Sequence, residues 1–238
     1  MTCRTMMFRV FPLILLAFMA FQPWIEAGEQ IPGQKPMPFI EGAFQFTPGA
    51  WADYVMYDKT KQQGYRMRFA TLTREYRQGR THIWMEIGIE IPDQPRVATR
   101  ILAEETTAGP GEIREVIVQM DGHKPFNVPK SFLKDSGKEV GRLQPFMREE
   151  KPERRTVTRN DRSFDVWHVQ AVDAQGLRMT AEVSEFLPPL GIYRADTAEI
   201  NMRLVDHGLG AKTAIQGEPM SLWLWIMDQV GSAFSTEK

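Results

Sequence analysis

Residues 162–191 read RSFDVWHVQAVDAQGLRMTAEVSEFLPPLG, which is two strand-like runs joined by a short turn. On the second run apolar side chains occupy every other position from Leu177 to Val183, the pattern of a strand with one buried face. The turn at 173–176 contains glycine and predicts an antiparallel hairpin. Pro188 and Pro189 end the hairpin, because proline cannot donate a hydrogen bond to a strand ladder.

The register of this hairpin depends on the length of its turn. A four-residue turn places Phe164, Val166 and His168 beside the apolar side of the return strand. A shift of one residue places Trp167 and Val169 there instead. The sequence leaves both registers open.

Similar alternating runs flank the hairpin on both sides. They predict strands over 51–57, 65–72, 81–89, 96–103, 113–120, 192–195 and 199–205. The intervening segment 121–151 is polar and broken by prolines, and it predicts a short helix near 130–134, with the charged run 148–155 as a solvated loop.

The last element departs from the strand pattern. Ser221 can cap a helix over 221–234, in which apolar residues recur every four positions. Its first two turns are apolar nearly all round, so we expect them to be buried. The predicted fold is therefore mainly β: a curved antiparallel sheet with a C-terminal helix and one or two short helices.

The N-terminal region predicts export. Residues 1–27 have a basic start, an apolar core of about a dozen residues and Ala27 before a plausible cleavage point, which is the order of a secretory signal peptide. The core is shorter than the roughly 20 residues of a spanning helix, so we expect cleavage and no transmembrane anchor. A Pro/Gly-rich arm over 28–48 and a single β-rich domain over 49–238 follow.

The cysteine content and the net charge indicate where the protein is located and which partners it lacks. Cys3 is the only cysteine and precedes the apolar core, so the mature chain has no cysteine, which favours the periplasm of a Gram-negative bacterium. A net charge of -1 predicts no attraction to nucleic acid.

Motifs for catalysis, metals and cofactors are absent from the sequence. The four histidines stand apart from one another, and no nucleophile elbow, phosphate loop or dinucleotide fingerprint occurs. We therefore predict no enzyme activity, no metal and no cofactor. Strand carboxylates could still face each other as acid and base; they are Glu86, Asp165, Glu182 and Glu185.

Aromatic and methionine side chains are numerous along these strands. They could form a plain core, or they could line a cavity for an apolar ligand, since both side-chain types adapt to shapeless ligands. A wide antiparallel sheet tends to curl and leaves a concave side to fill, and few helices are available for it. The predicted lining or lid residues are Trp84, Trp167, Trp223 and Trp225.

Several short motifs resemble those of exported β-rich bacterial proteins of unknown function. They are Gly49-Ala50-Trp51 with Tyr54, Ile83-Trp84-Met85-Glu86, Val116 to Met120, Pro188-Pro189-Leu190-Gly191, Met202-x-Leu204 and Ile215-x-Gly217-x-Pro219. Those proteins in turn resemble the lipoprotein-carrier superfamily of LolA, LolB and the LppX/LprG-like proteins. The resemblance implies an incompletely closed barrel that holds acyl chains, and it transfers no site residue to this chain.

These observations favour a soluble periplasmic carrier that holds a lipid, acyl chain or lipoprotein on the concave face. The first alternative is a non-catalytic structural or interaction protein of the envelope, with a dry core and edge strands that pair with a protein partner. The second alternative is a periplasmic hydrolase.

Overall fold

The computed structural model describes residues 40, 42–107, 109–131, 146–149, 151–159, 162–173 and 176–235. The predicted signal peptide and most of the predicted arm lie outside the described residues, as does most of the short helix predicted near 130–134. The chain divides into two compact units, Pro38–Trp225 and a second unit that combines Met1–Met37 with Ile226–Lys238. The predicted single domain over 49–238 stays a prediction.

Thirteen strands and one helix have bounds that lie wholly within the described residues. They are β1 (Trp51–Asp58), β2 (Gln63–Arg77), β3 (Arg80–Glu90), β4 (Val97–Thr106), β5 (Gly109–Met120), β6 (Phe126–Asn127), β7 (Met147–Arg148), β8 (Glu153–Arg159), β9 (Arg162–Val172), β10 (Arg178–Val183), β11 (Ile192–Thr197), β12 (Ile200–Gly208), β13 (Met220–Ser221) and α1 (Leu222–Ser235).

All the strands belong to one sheet, in the order β13-β6-β5-β4-β3-β2-β1-β12-β11-β10-β9, with β7 and β8 both paired to β9. Every described pair is antiparallel except β13–β6. The strands at the two ends do not pair with each other, so the described sheet is not closed into a barrel. The predicted fold class, a mainly β, incompletely closed antiparallel sheet with a C-terminal helix, is confirmed.

The β9–β10 hairpin adopts the second of the two registers that the sequence left open. Trp167 pairs with Val183 and Val169 pairs with Ala181. The cause is a loop of five residues rather than four: the Leu177 N–H donates to Asp173 Oδ1 at 2.8 Å. Leu177 therefore belongs to the loop, and each side chain of β9 shifts by one position.

The sequence predicts a solvated loop over the charged run 148–155, but part of this run forms strands. Its second half opens strand β8, which pairs with β9 from Glu153 onward. This strand lies at an edge of the described sheet, where charged residues are common because they discourage pairing with another chain.

The helix α1 begins as predicted. The Ser221 hydroxyl oxygen accepts a hydrogen bond from the Leu224 N–H at 3.3 Å, which caps the first turn. Trp225 is buried, but the side chains of Trp223, Leu224 and Met227 are each more than half exposed. The expectation of an all-round buried helix surface is wrong for these three residues. Among the described residues, Trp225 contacts the rings of Phe126 and His123.

The two faces of the sheet have different compositions. The apolar face is the one that carries Tyr54, Phe69 and Met85, and the opposite face is the one that carries Arg66 and Trp84. Most of the large, fully buried side chains of the strands lie on the apolar face, so the main core of the body is there.

A smaller core lies on the opposite face, under the segment 211–216, which we call the strap. Glu86 holds the strap through two hydrogen bonds. One carboxylate oxygen accepts a hydrogen bond from the Thr213 hydroxyl, and the other accepts one from the Ala214 N–H at 2.8 Å. Beneath the strap the side chain of Ile215 packs against Trp84, Ala98, Leu102 and Ile117.

Candidate ligand-binding face and pocket

Five methionines are buried on the apolar face. Each is at most 3% exposed, and they come from five strands; they are Met56, Met67, Met85, Met179 and Met202. Strand register brings some of them together, since Met56 on β1 lies directly opposite Met202 on β12. Methionine has an unbranched, polarisable side chain, so a surface built from it can change its shape to fit an apolar ligand.

Two aromatic side chains stand among these methionines. Tyr54 pairs with Met67 in the sheet, and Phe69 is fully buried one position further along the face. The Tyr54 hydroxyl donates to the carbonyl oxygen of Ile192 at 3.1 Å, and burial raises the pKa of Tyr54 far above its ordinary value. Tyr54 therefore remains neutral and adds no charge to the apolar face.

Small side chains occupy one end of the apolar face, on strands β9 to β11. Ala181 lies directly opposite Ala195, and Ala171 lies opposite Met179. All three alanines are at most 3% exposed. Their short side chains leave room beside Met179 and Met202, which lie opposite Ala171 and Ala195.

A pocket of about 660 Å³ lies at one end of β2–β5. Its walls include Phe44 and Phe46 from the segment before β1, together with Arg74, Thr81, Glu105 and Thr106. The two phenylalanine rings pack edge to face, with 4.7 Å between their centroids. The ring of Phe44 also packs edge to face on Phe69, with 5.9 Å between the centroids. Phe44 thus joins the wall of the pocket to the apolar face.

The polar wall of this pocket is an ion pair with fixed geometry. Arg74 donates two hydrogen bonds of 2.8 Å to the two oxygens of Glu105. It also donates one of 2.7 Å to the backbone carbonyl of Phe46, which holds the segment before β1 in place. A bidentate arrangement of this kind is directional, so the pocket is lined by a fixed polar pair as well as by aromatic rings.

The four predicted tryptophans do not form one cluster. Trp167 lies on the apolar face and is 45% exposed. Trp225 packs on Phe126, and the pairing of β5 with β6 places Phe126 on the apolar face as well. Trp84 lies on the opposite face under the strap, and Trp223 is 67% exposed at the start of α1.

Trp84 has specific polar partners on the opposite face. Its indole N–H donates to Glu75 Oε1 at 2.6 Å, and the Arg100 guanidinium lies 5.0 Å from its ring centroid. The hydrogen bond from Trp84 is the main reason that the pKa of Glu75 lies below its ordinary value, with a further contribution from Arg77. This environment fixes Trp84 within the structure of the opposite face.

The strand carboxylates proposed as an acid–base pair have separate partners. Glu86 binds the strap, whereas Asp165 accepts hydrogen bonds from Arg154 and Thr156. Glu182 pairs in register with His168 on β9. In the described part of the chain, no group of three or more His, Cys, Asp or Glu side chains is placed to hold a metal ion.

Sequence reasoning missed the pocket and its ion pair. Arg74 follows a β-bulge in β2, and Glu105 lies beside another in β4, so simple alternation does not indicate that the two side chains meet. The phenylalanines at 44 and 46 were visible as an apolar pair beside the first strand, but nothing in the sequence shows which part of the sheet they contact.

Comparison with known proteins gives no sequence-level match: no family model matches the chain, and no curated protein is similar to it. Solved structures with some similarity include a Bacteroides fragilis protein inferred to be exported, with a YmcC-like fold (TM-score 0.37, 9% identity, 72% of this chain and 100% of that chain covered). A Parabacteroides distasonis protein inferred to be a lipoprotein gives a TM-score of 0.37 at 13% identity, covering 73% of this chain and 100% of that chain.

A third similar structure is a β-barrel-like protein of the domain family DUF1849 from Brucella abortus (TM-score 0.31, 10% identity, 74% of this chain and 100% of that chain covered). These scores are too low to support an inference about function, and the resemblance to the lipoprotein-carrier superfamily stays a prediction. No helix in the described residues is both long enough and apolar enough to span a membrane.

Proposed function

We propose that this chain is an exported carrier that binds a lipid or another molecule with an acyl chain on the apolar face of its open sheet. The observation that supports this proposal most strongly is the set of five buried methionines on that face. No catalytic residue is proposed, and the predicted signal peptide is the proposed route to the periplasm.

Methionine is a poor choice for a core that serves stability alone. Valine, isoleucine and aromatic residues fit a pleated strand better, and burying a methionine costs more side-chain entropy than burying a β-branched residue. A ligand-binding face has a different requirement, because one site must fit flexible acyl chains of varying shape. The composition of the apolar face fits the second requirement better than the first.

The pocket beside Phe44 suits the polar end of such a ligand. Arg74, Glu105 and the neighbouring threonines provide hydrogen-bonding groups, and Phe44 joins the pocket to the apolar face. We place the headgroup of the ligand at this pocket and its chain along the methionines. The short side chains of Ala181 and Ala195 provide further width for the chain.

The first test is mass spectrometry of organic extracts from residues 28–238, purified from a periplasm without detergent. The carrier proposal predicts about one lipid per protein. A protein that contains no lipid, and that also fails to bind an added fluorescent fatty acid, contradicts the proposal. That result favours the alternative of an envelope interaction protein with a dry core.

A matched pair of variants tests the location. Ala181→Leu adds a side chain to the apolar face, whereas Thr180→Leu adds the same side chain to the exposed opposite face of the same strand. We expect Ala181→Leu to weaken fatty-acid binding about tenfold or more, equivalent to about 1.4 kcal/mol, and Thr180→Leu to leave binding unchanged. If Ala181→Leu lowers stability by the usual 1–3 kcal/mol of overpacking but does not change binding, the ligand lies elsewhere.

A further inference from the structure

Three exposed arginines lie side by side on the opposite face of the sheet. Arg66 on β2 and Arg203 on β12 both pair in register with Val55 on β1. Arg203 is also the direct register partner of Arg194 on β11. Directly opposed side chains on one face have their Cβ atoms about 5 Å apart, and like charges in such positions destabilise a sheet.

These three arginines lack the ion pairs that other arginines of the same face have. Arg68 lies 3.6 Å from Asp53, and Arg96 lies 3.4 Å from Glu90. Two of the three face a carboxylate in register, Arg66 opposite Glu90 and Arg194 opposite Glu182. In the described part of the chain, however, no carboxylate oxygen lies within 4 Å of the guanidinium nitrogens of Arg66, Arg194 or Arg203. Their guanidinium N–H groups are therefore not held by a close ion pair and can donate to the phosphate oxygens of an external partner.

Exposed apolar and aromatic side chains stand between the arginines. Val55, Tyr57 and Val205 are each about 40% exposed, on strands β1 and β12. Beside them the Arg68 guanidinium lies 4.2 Å from the centre of the Trp51 ring. We call the set Arg66, Arg194, Arg203, Val55, Tyr57 and Val205 the arginine patch.

We infer that the arginine patch docks the protein on a membrane surface that carries anionic phospholipid headgroups. Arginines attract the phosphates of such a surface, and aromatic and aliphatic side chains at the same level enter the headgroup region. The patch lies across the strands of one sheet face and has no free strand edge, so it suits a broad planar surface better than an extended peptide. It lies on the face opposite the methionines, so the inference does not depend on the proposed carrier function.

The test is co-sedimentation of residues 28–238 with phospholipid vesicles in about 0.1 M salt. One set of vesicles contains equal parts of phosphatidylglycerol and phosphatidylcholine, and the other contains phosphatidylcholine alone. We expect binding to the first set only. We also expect this binding to disappear in about 1 M salt, where charges are screened within about 3 Å.

Two triple variants with the same change in net charge identify the surface. R66Q/R194Q/R203Q is expected to lower partition onto the anionic vesicles by about 100-fold, or about fivefold for each arginine. K130Q/K151Q/R154Q removes three exposed positive charges away from the patch, among them Arg154, which is on the apolar side through its pairing with Trp167, and it is expected to bind nearly as well as the wild type. Ala181→Leu, which tests the carrier proposal, is expected to leave vesicle binding unchanged.

Three results would overturn the inference: no binding of the wild type to anionic vesicles, equal binding to both kinds of vesicle, or undiminished binding by R66Q/R194Q/R203Q. Retention of the wild type on a polyglutamate resin without any vesicle binding would also overturn it and would assign the patch to an acidic protein partner. Circular dichroism of both triple variants shows whether they fold, and the exposed positions of the residues lead us to expect that they do.

Discussion

Replacing Gly191 with alanine provides a sharp test of how the segment before β1 is attached to the sheet. Gly191 has φ of +70°, and a Cβ atom built there would lie 2.4 Å from the carbonyl oxygen of Ala43. The residue cannot move aside easily, because its N–H donates to Leu187 O and its carbonyl accepts from Ser184 N–H, both at 2.8 Å. Alanine at this position therefore meets both an unfavourable backbone conformation and a backbone clash.

The two costs can be separated. A non-glycine residue in the left-handed region costs about 1 kcal/mol, and forcing an extra methyl group into a packed site costs about 1–3 kcal/mol. We expect Gly191→Ala to lower the free energy of unfolding by about 2–4 kcal/mol. Gly79→Ala is the matched control: its φ is +78°, but no atom lies within 4 Å of the added Cβ, so only the first cost applies.

The assay is urea denaturation of residues 28–238, followed by tryptophan fluorescence, for the wild type and both variants. Gly191→Ala should also weaken ligand binding on the carrier proposal, because the Gln45 N–H donates to Pro189 O at 2.8 Å and the neighbouring Phe44 joins the pocket to the apolar face. If the two variants lose the same free energy of unfolding within about 0.5 kcal/mol, the close contact with Ala43 is not present in solution and this account is refuted.

Two further predictions concern the opposite face. Glu86→Gln and Thr213→Val should each destabilise the protein by about 1.5–3 kcal/mol, because each removes a hydrogen bond involving a buried charge. A double-mutant cycle should show that the two effects are not additive, and additive effects would refute the attachment of the strap. The folded-state pKa of Glu75 is lowered by the hydrogen bond from Trp84, so its contribution to stability is present above pH about 4.5 and is lost as the pH falls through the lowered pKa. Trp84→Phe should therefore reduce the loss of stability in acid, as measured by urea denaturation at several pH values. If the free energy of unfolding falls with decreasing pH as steeply in the variant as in the wild type, this assignment is contradicted.

Local alternation predicted most of the strands and their two faces. In β3, for example, Ile83 and Met85 alternate with His82 and Trp84, and the structure places the two pairs on opposite faces. Such predictions succeed because side-chain direction in a strand has a period of two and depends on no distant contact. The capped start of α1 was predictable for the same reason, since the Ser221 hydrogen bond spans three residues.

Loop chemistry limited the prediction of register. Leu177 continues the alternation of β10, yet its N–H donates to the Asp173 carboxylate and its carbonyl accepts from the Asp173 N–H at 3.1 Å. A single side chain thus lengthens the loop by one residue and selects Trp167 and Val169 for the apolar face. Aspartate commonly binds backbone N–H groups in turns, but the sequence alone does not determine which N–H it binds.

Long-range packing limited the prediction of the site. Trp84 was predicted as a lining residue because aromatic side chains can adapt to an apolar ligand, although its alternation with Met85 placed it on the other face. Its burial depends on the strap, whose attachment to Glu86 spans 127 residues of sequence. The arginine patch is a related case. The sequence shows that the arginines of β2 alternate with apolar residues, but only the order of β2, β1, β12 and β11 brings Arg66, Arg203 and Arg194 together.

The separation of the two faces bears directly on how such a protein could work. A carrier must exchange its ligand with a membrane and also release the membrane, so the contact with the bilayer should be weaker and more reversible than the contact with the ligand. Screened attraction between a few arginines and lipid phosphates has this property, whereas burial of an acyl chain against methionine side chains is not weakened by the screening of charges. With the arginines on one face and the methionines on the other, salt should act on membrane docking and leave ligand retention intact.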